Sequence, residues 1–354
     1  MKPFPKAAGV LAAGVLVLVG LNGCISQRVG KMIVQAPNQT GRAISPQLTT
    51  QSEQLLAQLR VYREQVPVGP PSAVIDVAVF EPFDYGFTSG VSDQVTGEGD
   101  QRRINRDFRF HYDLGRRTAP VEPQPAKGTV ILLHGIHTPK ESMLPWALFL
   151  AQDGYRAVLV DLRGHGKSTG DWITFGALET SDLTQVLDAL QRSGRADERV
   201  GVLGVSYGGS IALQWAGADA RIQSVVTLEP FNDAAQAIRE FTAELYPKLA
   251  QRITASDFNR GLRRSERLAN FDWASVDVAG SVRRAAIPVL LFHAEDDTWI
   301  SPEHSREIIA TAPRGSRLKL LPNETHLSLP IRLDLLGPEI LSWFATHLTA
   351  DAPP

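Results

Sequence analysis

From residue 129 onward, short apolar runs alternate with longer segments of helical period. The runs at 129–133, 157–161, 200–205, 222–228, 287–292 and 318–321 are rich in Val, Ile and Leu and too short for helices, which predicts buried strands. Between them, 180–190 sets Leu183, Val186, Leu187 and Leu190 on one helical face, so this segment is expected to cover a sheet. Strands and helices in this alternation predict an α/β fold of βαβ units, with a mostly parallel sheet covered on both faces.

The flanks follow other patterns. Apolar alternation at 73–80 and 106–114, separated by a turn-bearing Gly, Ser and Asp segment, predicts two leading antiparallel strands. Residues 24–71 are rich in Gln, Thr, Ser and Pro, with one helical stretch near 52–65, and are expected to form a tether. Within 231–286 the alternation lapses into a polar, Arg-bearing helical stretch, a candidate cap over the sheet. Its Phe231, Trp273, Arg263 and Arg264 either line a pocket or cover the sheet.

Lys2 and Lys6 precede an apolar run at 7–19, the pattern of a secretory signal over residues 1–23. That run is shorter than the roughly 20 apolar residues a spanning helix needs. Cys24 is the single cysteine, so it has no intramolecular disulfide partner and belongs to no Cys-based metal site. Leu21-Asn22-Gly23-Cys24 resembles the lipobox of bacterial lipoproteins, with Asn22 where Ala or Ser is usual. The resemblance implies lipidation of Cys24, palmitate included, and, with Ile25 next, a place on the outer membrane facing the periplasm. Overall, 43% hydrophobic and 21% charged residues in 354 suit a globular enzyme. A net charge of −2 offers no basic field for a nucleic-acid partner.

The chemistry is concentrated at a few turns. Gly204-Val205-Ser206-Tyr207-Gly208 has the G-x-S-x-G spacing of a nucleophile elbow, between a predicted strand and a predicted helix at 209–216. Such a serine occupies a strained turn whose neighbours cannot carry bulky side chains. Its hydroxyl needs a base, and the base a third group to hold its tautomer. The chain order Ser, acid, His restricts the base to His293, His304, His326 and His347. Three of these fall in predicted strands or helices, whereas His326 stands in a turn-like stretch at 322–326 and is the candidate base. Glu295, Asp296 and Asp297 share the turn after the fifth run, and one of them should face the histidine. An oxyanion hole would use the backbone N–H of Tyr207 and of Ile136, the latter following His134-Gly135. His134 itself is read as structural.

From about residue 108 to the C-terminus the chain resembles the α/β-hydrolase superfamily, near its serine aminopeptidase and lysophospholipase-like branch. The landmarks are His134-Gly135, Asp161-Leu162-Arg163-Gly164-His165-Gly166-Lys167-Ser168, the serine elbow, and the acid and histidine turns. The resemblance implies a sheet of about eight strands flanked by helices within 72–354, with a small helical cap. It also implies no metal, no organic cofactor and a two-step acyl-enzyme mechanism. The acid it selects is Asp297, with Asp296 second and Glu229 a further candidate, while His165 is structural. The expected function is a membrane-anchored serine hydrolase of carboxylic esters, esterase or lysophospholipase-like, acting on a small-molecule or lipid ester. A serine aminopeptidase-type peptidase and a non-catalytic ligand-binding lipoprotein are the alternatives.

Overall fold

Strands buried on both faces read as unbroken apolar runs, and the central strands here do so. In the computed structural model, which describes residues 25–40, 46–59, 61–96, 103–112 and 120–348, β5 (Thr129–Leu133), β6 (Arg156–Val160) and β7 (Val200–Val205) are buried throughout. They join β1 (Tyr62–Val68), β2 (Ala73–Phe80), β8 (Ile222–Leu228), β9 (Val289–Ala294) and β10 (Arg317–Leu321) in one eight-stranded sheet. Its order is β1-β2-β6-β5-β7-β8-β9-β10, with β2 antiparallel to both β1 and β6 and every other neighbouring pair parallel.

Two apolar clusters sandwich this sheet. On one face lie α4 (Glu179–Arg192) and α5 (Tyr207–Ala216), with Leu183, Val186, Leu187 and Leu190 buried as their spacing requires. The other carries α3 (Leu144–Gln152) and α11 (Leu333–His347), which bury Trp146, Leu336 and Phe344. Because β6 and β7 flank β5 on opposite sides, the chain reverses its winding there. Such a reversal opens a crevice beyond the carboxyl ends of the strands, where ligands bind in open α/β sheets.

Residues 231–286 form four helices, α6 (Ala234–Leu245), α7 (Pro247–Ala250), α8 (Ala255–Ala269) and α9 (Val278–Ala285). Asp233, Thr254 and Asp277 start α6, α8 and α9 by accepting backbone N–H bonds with their side chains. The last helix before the final strand is α10 (Glu303–Thr311).

Two expectations for the leading residues need correction. The segment between the two leading strands does more than turn: it supplies β3 (Thr88–Thr96), which pairs antiparallel with β4 (Arg103–His111) as a ribbon separate from the main sheet. Nor is 24–71 a tether in its described part, which folds into α1 (Ile25–Val34), α2 (Pro46–Leu59) and the edge strand β1. An edge strand buries little, and in β1 only Val66 and Val68 are covered, so its Arg, Glu and Gln hid it from the periodicity. Helix α1 buries Val29, Ile33 and Val34 and packs on α8, far downstream; its apolar spacing is short and lies in a stretch otherwise rich in Gln, Thr, Ser and Pro, which hid it. The expected signal at 1–23 and Cys24 lie outside the described residues. Among the described residues no helix is long and apolar enough to cross a membrane.

Candidate active site

At the end of β7 the chain turns so sharply into α5 that Ser206 takes φ 51° and ψ −114°. A non-glycine residue with positive φ is strained, and the surrounding contacts must hold it there. They do so through backbone packing. A Cβ on Gly204 would lie 2.4 Å from the carbonyl oxygen of Gly208, and one on Gly208 would lie 2.4 Å from that of Leu133. The Ser206 N–H donates to the Leu228 carbonyl at 2.7 Å, tying the turn to the neighbouring strand.

His326 arrives from the loop between β10 and α11. Its Nδ1–H donates to Asp297 Oδ2 at 2.7 Å, and the Ser206 hydroxyl donates to its Nε2 at 3.1 Å. A carboxylate can only accept, which assigns the proton to Nδ1 and leaves Nε2 free to take one from the serine. The Trp299 ring stacks on the imidazole at 5.2 Å between centroids. Of the three adjacent acids, Glu295 and Asp296 are exposed and Asp297 is buried, so the turn itself selects the residue. Asp297 Oδ1 accepts the N–H groups of Trp299 and Ile300 at 2.8 and 2.9 Å. Burial alone would raise its pKa, but hydrogen bonds from His293, His326 and Ile300 outweigh that and hold the carboxyl well below the usual range.

Glu229 is the other acid here. It follows directly on β8 at φ 57°, is fully buried, and brings Oε2 to 3.4 Å from His326 Nδ1. Among the described residues neither of its carboxyl oxygens has a hydrogen-bond partner. Burial, with Asp297 and Glu324 nearby, pushes its pKa well above the carboxylate range, so it sits protonated beside an ionised Asp297. Glu229, Asp297 and His326 place ligand atoms within 4.8 Å of one another, a spacing a metal ion would suit. Nδ1 of His326, the nitrogen that faces both carboxyls, already donates to Asp297, a hydrogen bond that a metal ion there would have to replace.

The loop after β5 lies against the serine: a Cβ on Gly135 would come 3.8 Å from that of Ser206, and Ile136 lines the same cavity as Ser206 and Tyr207. Beneath this loop Lys140 is buried with Nζ 2.6 Å from Asp76 and 2.8 Å from Asp161. His134 donates through Nδ1 to the Gly135 carbonyl and accepts the Leu162 N–H at Nε2. Burial lowers its pKa to about 4, which keeps it neutral and structural. His165 is equally buried, its pKa likewise driven down by burial, with Nδ1 on the Arg163 carbonyl. His304 accepts the Asn232 N–H, and half-buried His347 bonds the Trp343 carbonyl within α11.

A model of the family described as the alpha/beta hydrolase fold matches residues 128–271, a span that includes the elbow. The Pyrococcus furiosus esterase Pf2001 superposes with a TM-score of 0.52 over 82% of this chain and 92% of its own, at 19% identity. The 2,6-dihydroxy-pseudo-oxynicotine hydrolase gives 0.56 over 89% and 76%, at 18% identity. The chain has the α/β-hydrolase fold. The protein YqkD of Bacillus subtilis is 27% identical over 225 residues, 61% of this chain and 70% of that one.

On this α/β-hydrolase scaffold the serine turn opens onto a cavity of about 380 Å³ that Ser206 and Tyr207 help to line. Its walls are largely apolar, including Phe175, Phe231, Phe241, Ile253 and Phe258, and no carboxylate is among the described residues that line it. Thus Phe231 both covers the sheet and lines the cavity, while Trp273 packs on Phe175 and Phe271 outside that lining.

Sequence reasoning missed two supports of the α/β-hydrolase site. His293, read only as a strand residue, brings Nε2 to 3.3 Å from Asp297 Oδ2. Arg106 of β4 and Arg332 pair with buried Glu324, two residues before His326, and so hold the histidine loop. An acid two positions before the candidate base, Arg332 shortly after it and Arg106 far from it in sequence were the only available signal.

Proposed function

We propose that this protein is a serine hydrolase that cleaves carboxylic esters with an apolar acyl group. The observation that carries the reading is the continuous hydrogen-bonded row from Ser206 through His326 to Asp297 at the rim of an apolar cavity. In this mechanism His326 Nε2 takes the proton as Ser206 Oγ attacks the acyl carbonyl, and Asp297 stabilises the imidazolium. The N–H groups of Tyr207 and Ile136 receive the oxyanion, worth about a hundred- to thousandfold in rate per donor. The protonated imidazole then releases the alcohol, and water activated by the same histidine frees the acid.

A cavity wall without a carboxylate among its described residues has no anchor for a free α-amino group, which favours an ester over an aminopeptidase substrate. We place the protein on the bacterial envelope, anchored by lipid at Cys24. That residue directly precedes Ile25, the first residue of α1, and α1 lines the cavity, an arrangement suited to acyl esters drawn from a membrane. Turnover of p-nitrophenyl esters of graded chain length by the protein and its Ser206→Ala variant tests the reading. Turnover lost on substitution is expected; equal turnover by both would remove Ser206 as the nucleophile, and none by the parent would leave a ligand-binding scaffold in place of an enzyme.

A further inference from the structure

Helix α1 and cap helix α8 cross where each carries a glycine. A Cβ on Gly30 would lie 2.7 Å from the Arg264 Cβ, and one on Gly261 would lie 2.4 Å from Val29 Cγ1. A side chain at either position would force the helices apart. This approach aims Val29, Met32 and Ile33, spaced i, i+3 and i+4, into the cavity that holds Ser206. Beyond α1 the chain is pinned to the segment after β6: the Ile173 N–H donates to the Val34 carbonyl at 2.8 Å, and Gln35 bridges to Trp172. The helix is therefore fixed at its centre by the cap and past its C-terminal end by the sheet domain.

We propose that α1 is a wall of the acyl pocket and sets the length of chain the pocket takes. The occupant is an apolar acyl chain, since the three side chains α1 contributes are aliphatic or thioether and offer a substrate no hydrogen bond. The inference rests on the hydrolase reading for the identity of the substrate, but the pocket wall can be examined without turnover. Each methylene buried against such a wall is worth about 0.8 kcal/mol, a factor of about four.

Two variants fill the wall, Ile33→Trp at a buried position and Met32→Trp at a half-buried one that tolerates bulk better. Two readouts are compared with the parent protein: the ratio of kcat/KM for the decanoyl over the butyryl p-nitrophenyl ester, and the affinity for 1-decanol by calorimetry. The ratio is expected to fall at least tenfold and decanol to bind at least tenfold more weakly, in either variant that retains the parent's circular dichroism. An unchanged ratio together with unchanged decanol affinity would overturn the proposal, as would both esters slowing in equal proportion with decanol unaffected. Weakened decanol binding in a protein whose parent turns over no ester would uphold the wall and remove the hydrolase reading instead.

Discussion

The serine side of the molecule and the cap side are built to different tolerances. Around Ser206 the backbone itself fills the space, so that one methyl group at residue 204 or 208 would collide with carbonyl oxygens. Across the cavity, away from the Gly30–Gly261 crossing, the cap presents half-covered side chains, and Ile238, Phe241 and Ile253 are only partly buried. The difference teaches where chemistry and selectivity reside: reacting groups need fixed backbone geometry, whereas an apolar wall needs volume and tolerates repacking.

Substitutions should sort by side, with the largest effects at the turns. His326→Gln is expected to lower kcat on a short ester by on the order of 10⁶, because the nucleophile and base act as a unit. Asp297→Asn should cost on the order of 10⁴, since an amide no longer holds the Nδ1–H tautomer. Steady-state kinetics on p-nitrophenyl butyrate measures both; a loss under tenfold at either would move the role to Glu229 or elsewhere. Gly208→Ala touches no reacting atom, yet its methyl meets the Leu133 carbonyl, so kcat should drop at least about a hundredfold from a misplaced serine. On the cap, Phe241→Ala should act mainly on KM for an octanoyl ester, about tenfold, the worth of one partly lost aromatic wall. A large kcat effect there would blur the contrast between the sides.

How much of this was legible in the sequence follows the same division. The elbow could be read because its glycines are sterically compelled and adjacent, and His326 because it falls in a turn while its rivals fall in regular elements. Asp297 was preferred to Asp296 only through the family resemblance, and the physical reason lies in the folded turn, where Asp297 alone of the adjacent carboxyls is buried. Helix α1 escaped notice because its apolar face is matched by α8, more than two hundred residues away, amid polar flanks. The role of His293 was hidden for a related reason: a strand residue shows its period, not the loop beyond its own strand that it touches.

The smallest expected effect concerns stability. Glu229 is protonated in the folded protein at a pH where the unfolded chain has released that proton, so the folded state binds more protons. Stability from this group is therefore present below the unfolded value near 4.5 and is lost as pH rises above it. Glu229→Gln, which cannot ionise, should raise the melting temperature at pH 8 and leave it nearly unchanged near pH 4. Thermal melts across that range check it, and a gain confined to acid pH would mean that Glu229 is ionised when folded.

The most direct measurement of the central claim is covalent. A fluorophosphonate probe should modify the protein at one residue, which peptide mass spectrometry would locate at Ser206, with labelling slowed strongly by His326→Gln and absent in Ser206→Ala. Modification at another serine, or undiminished labelling of Ser206→Ala, would contradict the account.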